Sequence, residues 1–191
     1  MPPRMRAFWA AGAAFVALDQ LTKYLVRAYI PVRSPGITII PNWLSISHAI
    51  NPGAAFSFMA DFPYRLHVFF ALTVISVGVL ALSILALKKE DRILPAALGV
   101  LMAGVVGNAI DRAVFGEVTD MIMVYAGSEP LKSFFVQKYG GYIFPIFNIA
   151  DSAIWIGVIG FVLGLVWTAT RPGQDAAPTE QETAGSRPTL E

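Results

Sequence analysis

GNAIDRAVFGEVTD, residues Gly107 to Asp120, closes an almost uncharged apolar run from Ile93 to Val106. An amide, three carboxylates and a guanidinium arrive together at the end of a segment that otherwise reads as lipid-soluble. Asn108 lies three residues before Asp111 and four before Arg112, so on a helix the three share a face. Gly116 marks the end of that helix, and Asp120 follows on a segment that has left it. Polar groups at the end of a membrane span are costly unless paired or wetted, which makes them a functional hypothesis by default. The competing reading is a helix end that has simply reached water.

The rest of the composition agrees with a membrane setting. Of the 191 residues, 55% are hydrophobic and 14% are charged, too apolar for an ordinary soluble domain. A net charge of +1 gives nucleic acid nothing to bind. With no cysteine, disulfides, thiolate nucleophiles, Cys-based zinc sites and Fe–S clusters are all excluded. The two histidines, His48 and His67, lack the HExxH spacing, so neither a metal site nor a cofactor is expected. Arg4 and Arg6 precede an apolar run, as in a cleavable signal peptide. That reading fails because the run continues through Asp19 and Lys23 without a small-residue cleavage site.

Four segments are long enough to span a bilayer, which needs about 20 mostly apolar residues: residues 7–29, 66–87, 93–110 and 149–168. In the first, Asp19 and Lys23 stand at i and i+4 with the acid first, the favourable order for a helical ion pair. Arg27 is expected to snorkel outward from the next turn. Lys88, Lys89 and Arg92 crowd the five-residue connection KKEDR, and basic short loops stay in the cytoplasm. Both termini are then cytoplasmic, and the two long loops face outward.

In the first long loop, Ile37 to Ile40 is β-branched, Pro41-Asn42 is a turn signal, and Leu44 to Ile50 alternates apolar and polar residues, the period of a half-buried strand. A small antiparallel ribbon on the membrane surface results, with Trp43 at the interface and His48 on its solvated face. Asn51-Pro52-Gly53 is turn chemistry. In the second loop, Met121 to Tyr125 reads as another short strand, and Lys132 to Tyr139 as a short interfacial amphipathic helix broken by Gly140-Gly141. Asn148 suits the N-cap of the last span, with Asp151 in its first turn, where the helix dipole favours a carboxylate. The fold expected is an all-α membrane protein with four transmembrane helices, a small extracytoplasmic β-ribbon and a short interfacial helix. Residues 1–170 form a single membrane-embedded domain, and 171–191 a disordered cytoplasmic tail.

If the outer ends of these segments converge, several carboxylates meet at one membrane face. The chemistry left by the exclusions above is two-carboxylate acid–base work on water, in which a close pair shares one proton. The residues alone leave open which pair among Asp19, Asp111, Asp120 and Asp151 does it.

Five motifs in order, DQLTK, NPGAAFSF, GNAIDR, GEVTD and FNIADS, resemble those of lipoprotein signal peptidase (signal peptidase II), the bacterial aspartic peptidase, along nearly the whole chain to Thr168. The resemblance implies that Asp120 and Asp151 form the catalytic dyad. It also implies that Asn51, Gly53, Asn108, Asp111, Arg112, Asn148, Ala150, Asp19 and Lys23 occupy supporting positions. The implied substrate is a diacylglyceryl-modified prolipoprotein, cut immediately before the lipidated cysteine, at the outer face of the bacterial inner membrane. Membrane lipid is the other implied partner, and the chain is expected to act as a monomer. The sequence departs from the family pattern at Met121, where an aromatic is common, and in the length of the 121–143 stretch.

Two other classes fit a small polytopic protein: a proton-coupled transporter and a non-catalytic membrane assembly factor. A transporter would place its carboxylates near the midplane, where only Asp19 lies. A presenilin-type protease would carry a GxGD element, which is absent.

Overall fold

The computed structural model describes residues 1–53 and 61–170. Residues Ala54 to Phe58 of the NPGAAFSF motif and the tail 171–191 lie outside the described residues.

Four long helices form one bundle: α1 (Pro3–Tyr29), α2 (Arg65–Ala86), α3 (Ile93–Phe115) and α5 (Ile149–Thr170), with the short α4 (Leu131–Tyr139) between α3 and α5. Helix α3 is the central member, packed against α1, α2 and α5. It runs to Phe115, five residues past the end expected from hydropathy, and is stopped by Gly116 at φ 77°, a left-handed position that glycine takes without strain. The extra turn carries Asp111 and Arg112 within the helix, on a face turned into the bundle. Small residues let the helices approach closely. A Cβ at Gly99 would collide with the carbonyl oxygen of Phe8, one at Gly104 with that of Ala150, and one at Gly157 would lie 2.6 Å from Leu101 Cβ. Gly99→Ala is therefore expected to push α1 off α3 and to destabilise the bundle by about 1–3 kcal/mol. A midpoint shift in thermal unfolding of the detergent-solubilised protein checks it.

Leu72, Val74, Ile75 and Leu82 on α2, and Trp155, Ile159, Leu163 and Val166 on α5, are exposed. Apolar surface this extensive marks a partner or a membrane. Among the described residues, three helices are long and apolar enough to cross a membrane: α2, α3 and α5. Helix α1, of 27 residues, is long enough, but its charges keep it below the same apolar standard. The protein is thus a mostly helical membrane protein carrying a small sheet.

The sheet has three antiparallel strands in the order β1 (Ile37–Ile40), β2 (Leu44–Asn51), β3 (Val118–Val124). Register pairs Leu44 with Val124 and Asn51 with Val118, with an irregularity between Ile46 and Ala49. Asn42, at φ 67°, forms the β1–β2 turn. The expected hairpin is therefore present, and the 121–125 strand joins its second member. The side-chain pattern differs from the alternation read in the sequence. Ser45, Ser47 and His48 are buried, whereas Ile37, Ile39, Ile40 and Ile50 are exposed. Strand β2 is flanked on both edges, and its irregularity turns two successive polar residues inward. His48 is not solvated: its Nδ1 lies 2.7 Å from the carbonyl oxygen of Ile30, a helix-end acceptor of α1 that needs a donor. Arg27 does not snorkel either. It lies over the Phe115 ring, 4.4 Å from its centroid, and donates to Thr119 Oγ1 at 3.0 Å.

At the opposite end of the bundle, the Arg4 guanidinium donates to the carbonyl oxygen of Leu87 and the Arg4 amide to that of Lys89. The N-terminus and the KKEDR connection thus share one end, remote from the sheet.

Candidate active site

The polar ends of α1, α3 and α5 and the start of β3 meet beside the sheet. Three layers of hydrogen bonds build the site.

The deepest layer is ionic. Lys23 and Asp111 are fully buried and Asp19 nearly so. Lys23 Nζ lies 2.9 Å from Asp19 Oδ2 and 3.4 Å from Asp111 Oδ2, so the helical pair expected within α1 reaches across to α3. Asp19 Oδ1 accepts the Ala150 backbone N–H at 2.8 Å, one of the amides that the start of α5 leaves without an intrahelical partner. Gly107 makes room for this carboxylate, since a Cβ there would sit 2.6 Å from Asp19 Oδ2. Asp111 Oδ2 accepts the Thr119 backbone N–H at 2.9 Å, tying α3 to the strand residue before Asp120. Gln20, which the sequence reading passed over, bridges α1 and α3 by donating to Asp19 Oδ2 at 3.0 Å and to the Gly107 carbonyl at 3.2 Å. Its sequence signal is its place beside Asp19 in the DQLTK motif.

The middle layer consists of amides. Asn108 Oδ1 accepts from Lys23 Nζ at 3.1 Å and from Asn148 Nδ2 at 3.1 Å. With its oxygen so engaged, Asn108 turns its Nδ2 to Asp151 Oδ1 at 2.8 Å. Asn148 caps α5: its Oδ1 accepts the Asp151 N–H at 2.9 Å, and Asp151 Oδ2 accepts the Asn148 N–H at 3.2 Å, a reciprocal capping box. Its Nδ2 also donates to Asp120 Oδ1 at 2.6 Å, and Asn51 Nδ2 donates to Asp120 Oδ2 at 3.0 Å. Each of Asp120 and Asp151 therefore accepts two N–H groups from this scaffold.

The outer layer places the turn after β2. Asn51 Oδ1 accepts the Gly53 N–H at 3.0 Å, and Arg112 Nη2 donates to the Gly53 carbonyl at 2.9 Å. The Arg112 guanidinium also stacks on the Phe69 ring of α2, 4.2 Å from its centroid. All eleven positions singled out in the sequence thus lie in one connected cluster.

Asp120 and Asp151 open onto a single cavity of about 680 Å³, the size of an ordinary ligand site. Asn51, Asn108 and Arg112 supply its polar wall, and Phe144, Ile154 and Trp155 an apolar one. Burial pushes the Asp120 carboxyl up, and the neighbouring Asp151 charge adds to it, to about 6. Asp120 therefore keeps its proton nearer to neutral pH than an exposed carboxyl does. Among the described residues, no three His, Asp or Glu side chains are grouped so as to hold a metal ion.

The model of the family described as "Signal peptidase (SPase) II" matches residues 11–167. The chain belongs to the signal peptidase II family. It is similar to the lipoprotein signal peptidase of Geobacter sulfurreducens, with 38% identity over 158 residues, covering 83% of this chain and 90% of the relative. It is also similar to that of Geobacter metallireducens, with 33% identity over 175 residues, covering 92% and 99%. Among solved structures, a bacterial membrane enzyme determined by the in meso method at 2.3 Å resolution superposes with a TM-score of 0.70 at 29% identity, covering 88% of this chain and 92% of the other. A second, at 1.9 Å resolution, gives 0.67 at 31% identity. The protein is a peptidase of the membrane, and the clustered acids are to be read against that activity.

Proposed function

We propose that this peptidase removes signal peptides from diacylglyceryl-modified prolipoproteins, cutting before the lipidated cysteine, with Asp120 and Asp151 as an aspartic dyad. The observation that carries the reading is the pair of carboxylates on one cavity with a polar and an apolar wall. One wall suits a peptide bond and the other a lipid. Asp151, held by the Asn108 amide and its own helix cap, acts as the base and takes a proton from the attacking water. Asp120 carries the shared proton and donates it to the scissile carbonyl oxygen. Asp151 then passes the proton it took from water to the leaving amine, and Asp120 recovers a proton from the tetrahedral intermediate as the carbonyl re-forms. Asn51, Asn148 and Asn108 hold the two carboxyls in register. Asp111, Asp19 and Lys23 hold the elements that bear them.

Incubation of the purified protein with a diacylglyceryl-modified precursor tests the function. Cleavage is expected before the modified cysteine, and no cleavage of the unmodified precursor. Equal cleavage of both would remove lipid recognition from the proposal, and none of either would remove the activity.

The site's pH behaviour follows from Asp120. Its carboxyl binds a proton more tightly in the folded protein, near 6, than in the unfolded chain, near 3.9. Its contribution to stability is therefore fully present below about pH 4 and is lost as pH rises through about 6. Cleavage that requires the shared proton declines on the same alkaline limb, with apparent values belonging to the pair. Turnover and unfolding midpoints measured from pH 4 to 8 check both. A midpoint equally pH-dependent in Asp120→Asn would assign the effect to another group.

We further propose that α1 is the fourth span, its charges hidden against α3. The domain then covers residues 1–170, with the termini and the KKEDR connection in the cytoplasm and the sheet and α4 at the outer face of the inner membrane. Reporter fusions test the orientation: a fusion at residue 90 reporting as external would invert it.

A further inference from the structure

Helix α4 belongs to the long 121–143 stretch and buries none of its residues. It nevertheless presents an ordered apolar face. Leu131, Phe135 and Tyr139 recur at i, i+4 and i+8, and they line a second cavity of about 610 Å³ opposite Trp43, Val124 and Tyr142. The cavity is ligand-sized and its walls are almost wholly apolar and aromatic. It adjoins the dyad cavity end to end, since Phe144 and Pro145 border both. Those two residues sit on a strip that runs beside β3, with Phe144 N–H bonded to the Val124 carbonyl and Phe147 N–H to the Ile122 carbonyl. A linear apolar group anchored at the dyad can therefore follow the strip from the first cavity into the second.

We infer that the cleft between α4 and the sheet is an acyl-chain subsite. One chain of the substrate's diacylglyceryl group passes Phe144 and Pro145 and lies along Leu131, Phe135 and Tyr139, while the other stays in the bilayer. An acyl chain suits these walls better than the released peptide does, because a peptide backbone would bring polar groups that the cleft leaves unpaired. The inference rests on the proposed lipoprotein substrate. Each methylene buried is worth roughly fourfold in affinity, so the cleft would make the protein discriminate by acyl length.

The test compares precursors of identical peptide sequence carrying short or long acyl chains, with wild type and two cleft variants of the full chain. Phe135→Ser removes a wall. Gly141→Leu narrows the space, and a Cβ at Gly141 meets nothing within 4 Å, so it fits the backbone. Both variants are expected to lower the long-to-short ratio of kcat/KM by about tenfold, the contact of one to two methylenes, with short-chain turnover unchanged. Equal losses on both precursors, or an effect that follows the residue after the cysteine instead of chain length, would overturn the subsite. A second arm needs no turnover. A long-chain precursor with a photoreactive acyl terminus is cross-linked to Asp120→Asn protein and mapped by mass spectrometry. Labels within residues 131–145 support the subsite, and labels confined to α2 or to unrelated lipid-facing surface overturn it. Failure of wild type to cleave either precursor counts against the peptidase reading alone, because the cross-link still decides the cleft.

Discussion

Asp120→Asn and Asp151→Asn are each expected to lower cleavage of a lipidated precursor by on the order of 10³-fold or more, the range carried by positioned acid–base groups. An amide keeps the size of the carboxylate but can neither take a proton from water nor return one to the leaving amine. The two variants should differ in stability. Asp120 accepts from both Asn51 and Asn148, so an amide there meets one N–H with another and loses a bond. It also removes a buried carboxyl whose ionisation burial disfavours. The two effects oppose, and above pH 6 the variant should be about as stable as wild type. Asp151→Asn loses part of the reciprocal cap with Asn148, worth about 1 kcal/mol. Because the acids act as one unit, the double variant should be barely slower than either single one. Turnover by purified single and double variants is the measurement. Near-normal turnover by either single variant would take that residue out of the dyad, and Asp111 would be the next acid to examine.

Lys23→Met is expected to destabilise the bundle by about 3–5 kcal/mol, the usual result of leaving a buried charge without its partner. Here two carboxylates lose one cation: Asp19 at 2.9 Å and Asp111 at 3.4 Å. Asp111 keeps Arg27, whose Nη1 is 3.5 Å away, but Asp19 keeps no cation. The double variant Asp19→Asn/Lys23→Met should recover a large part of the loss, since an amide in place of the carboxylate carries no charge to bury. Activity should fall in both. Without Lys23 the Asn108 oxygen loses one of its two donors, and the amide is freer to turn away from Asp151. Unfolding midpoints in detergent read the first effect and turnover of surviving folded protein the second. A Lys23→Met protein as stable as wild type would mean that α1 is held on α3 by small-residue packing alone.

What the sequence by itself determined is whatever spacing along one element decides. The long helices follow from runs of apolar residues, whose lipid-soluble length needs no partner to be recognised. Asp19 and Lys23 share a face because a helix returns every 3.6 residues, and Asn148 caps Asp151 because cap and capped amide lie three residues apart. Tertiary structure decided the rest. Asp19 satisfies an amide 131 positions away, and Asn148 reaches Asp120 across 28. The capping of Ala150 by a residue of α1 has no local signature. His48 and Arg27 were read from their own elements as solvent- or headgroup-facing, yet each turns inward. An orphan carbonyl at the end of α1 attracts the first and a threonine hydroxyl on β3 the second. The serines of β2 are buried for a different reason: the neighbouring strands make that strand central, and Ser47 Oγ is buried there without a hydrogen-bond partner among the described residues. A buried polar group takes whichever partner the packed fold brings within hydrogen-bonding distance. That choice is made by helices and strands remote in the chain, and the local pattern of residues does not record it.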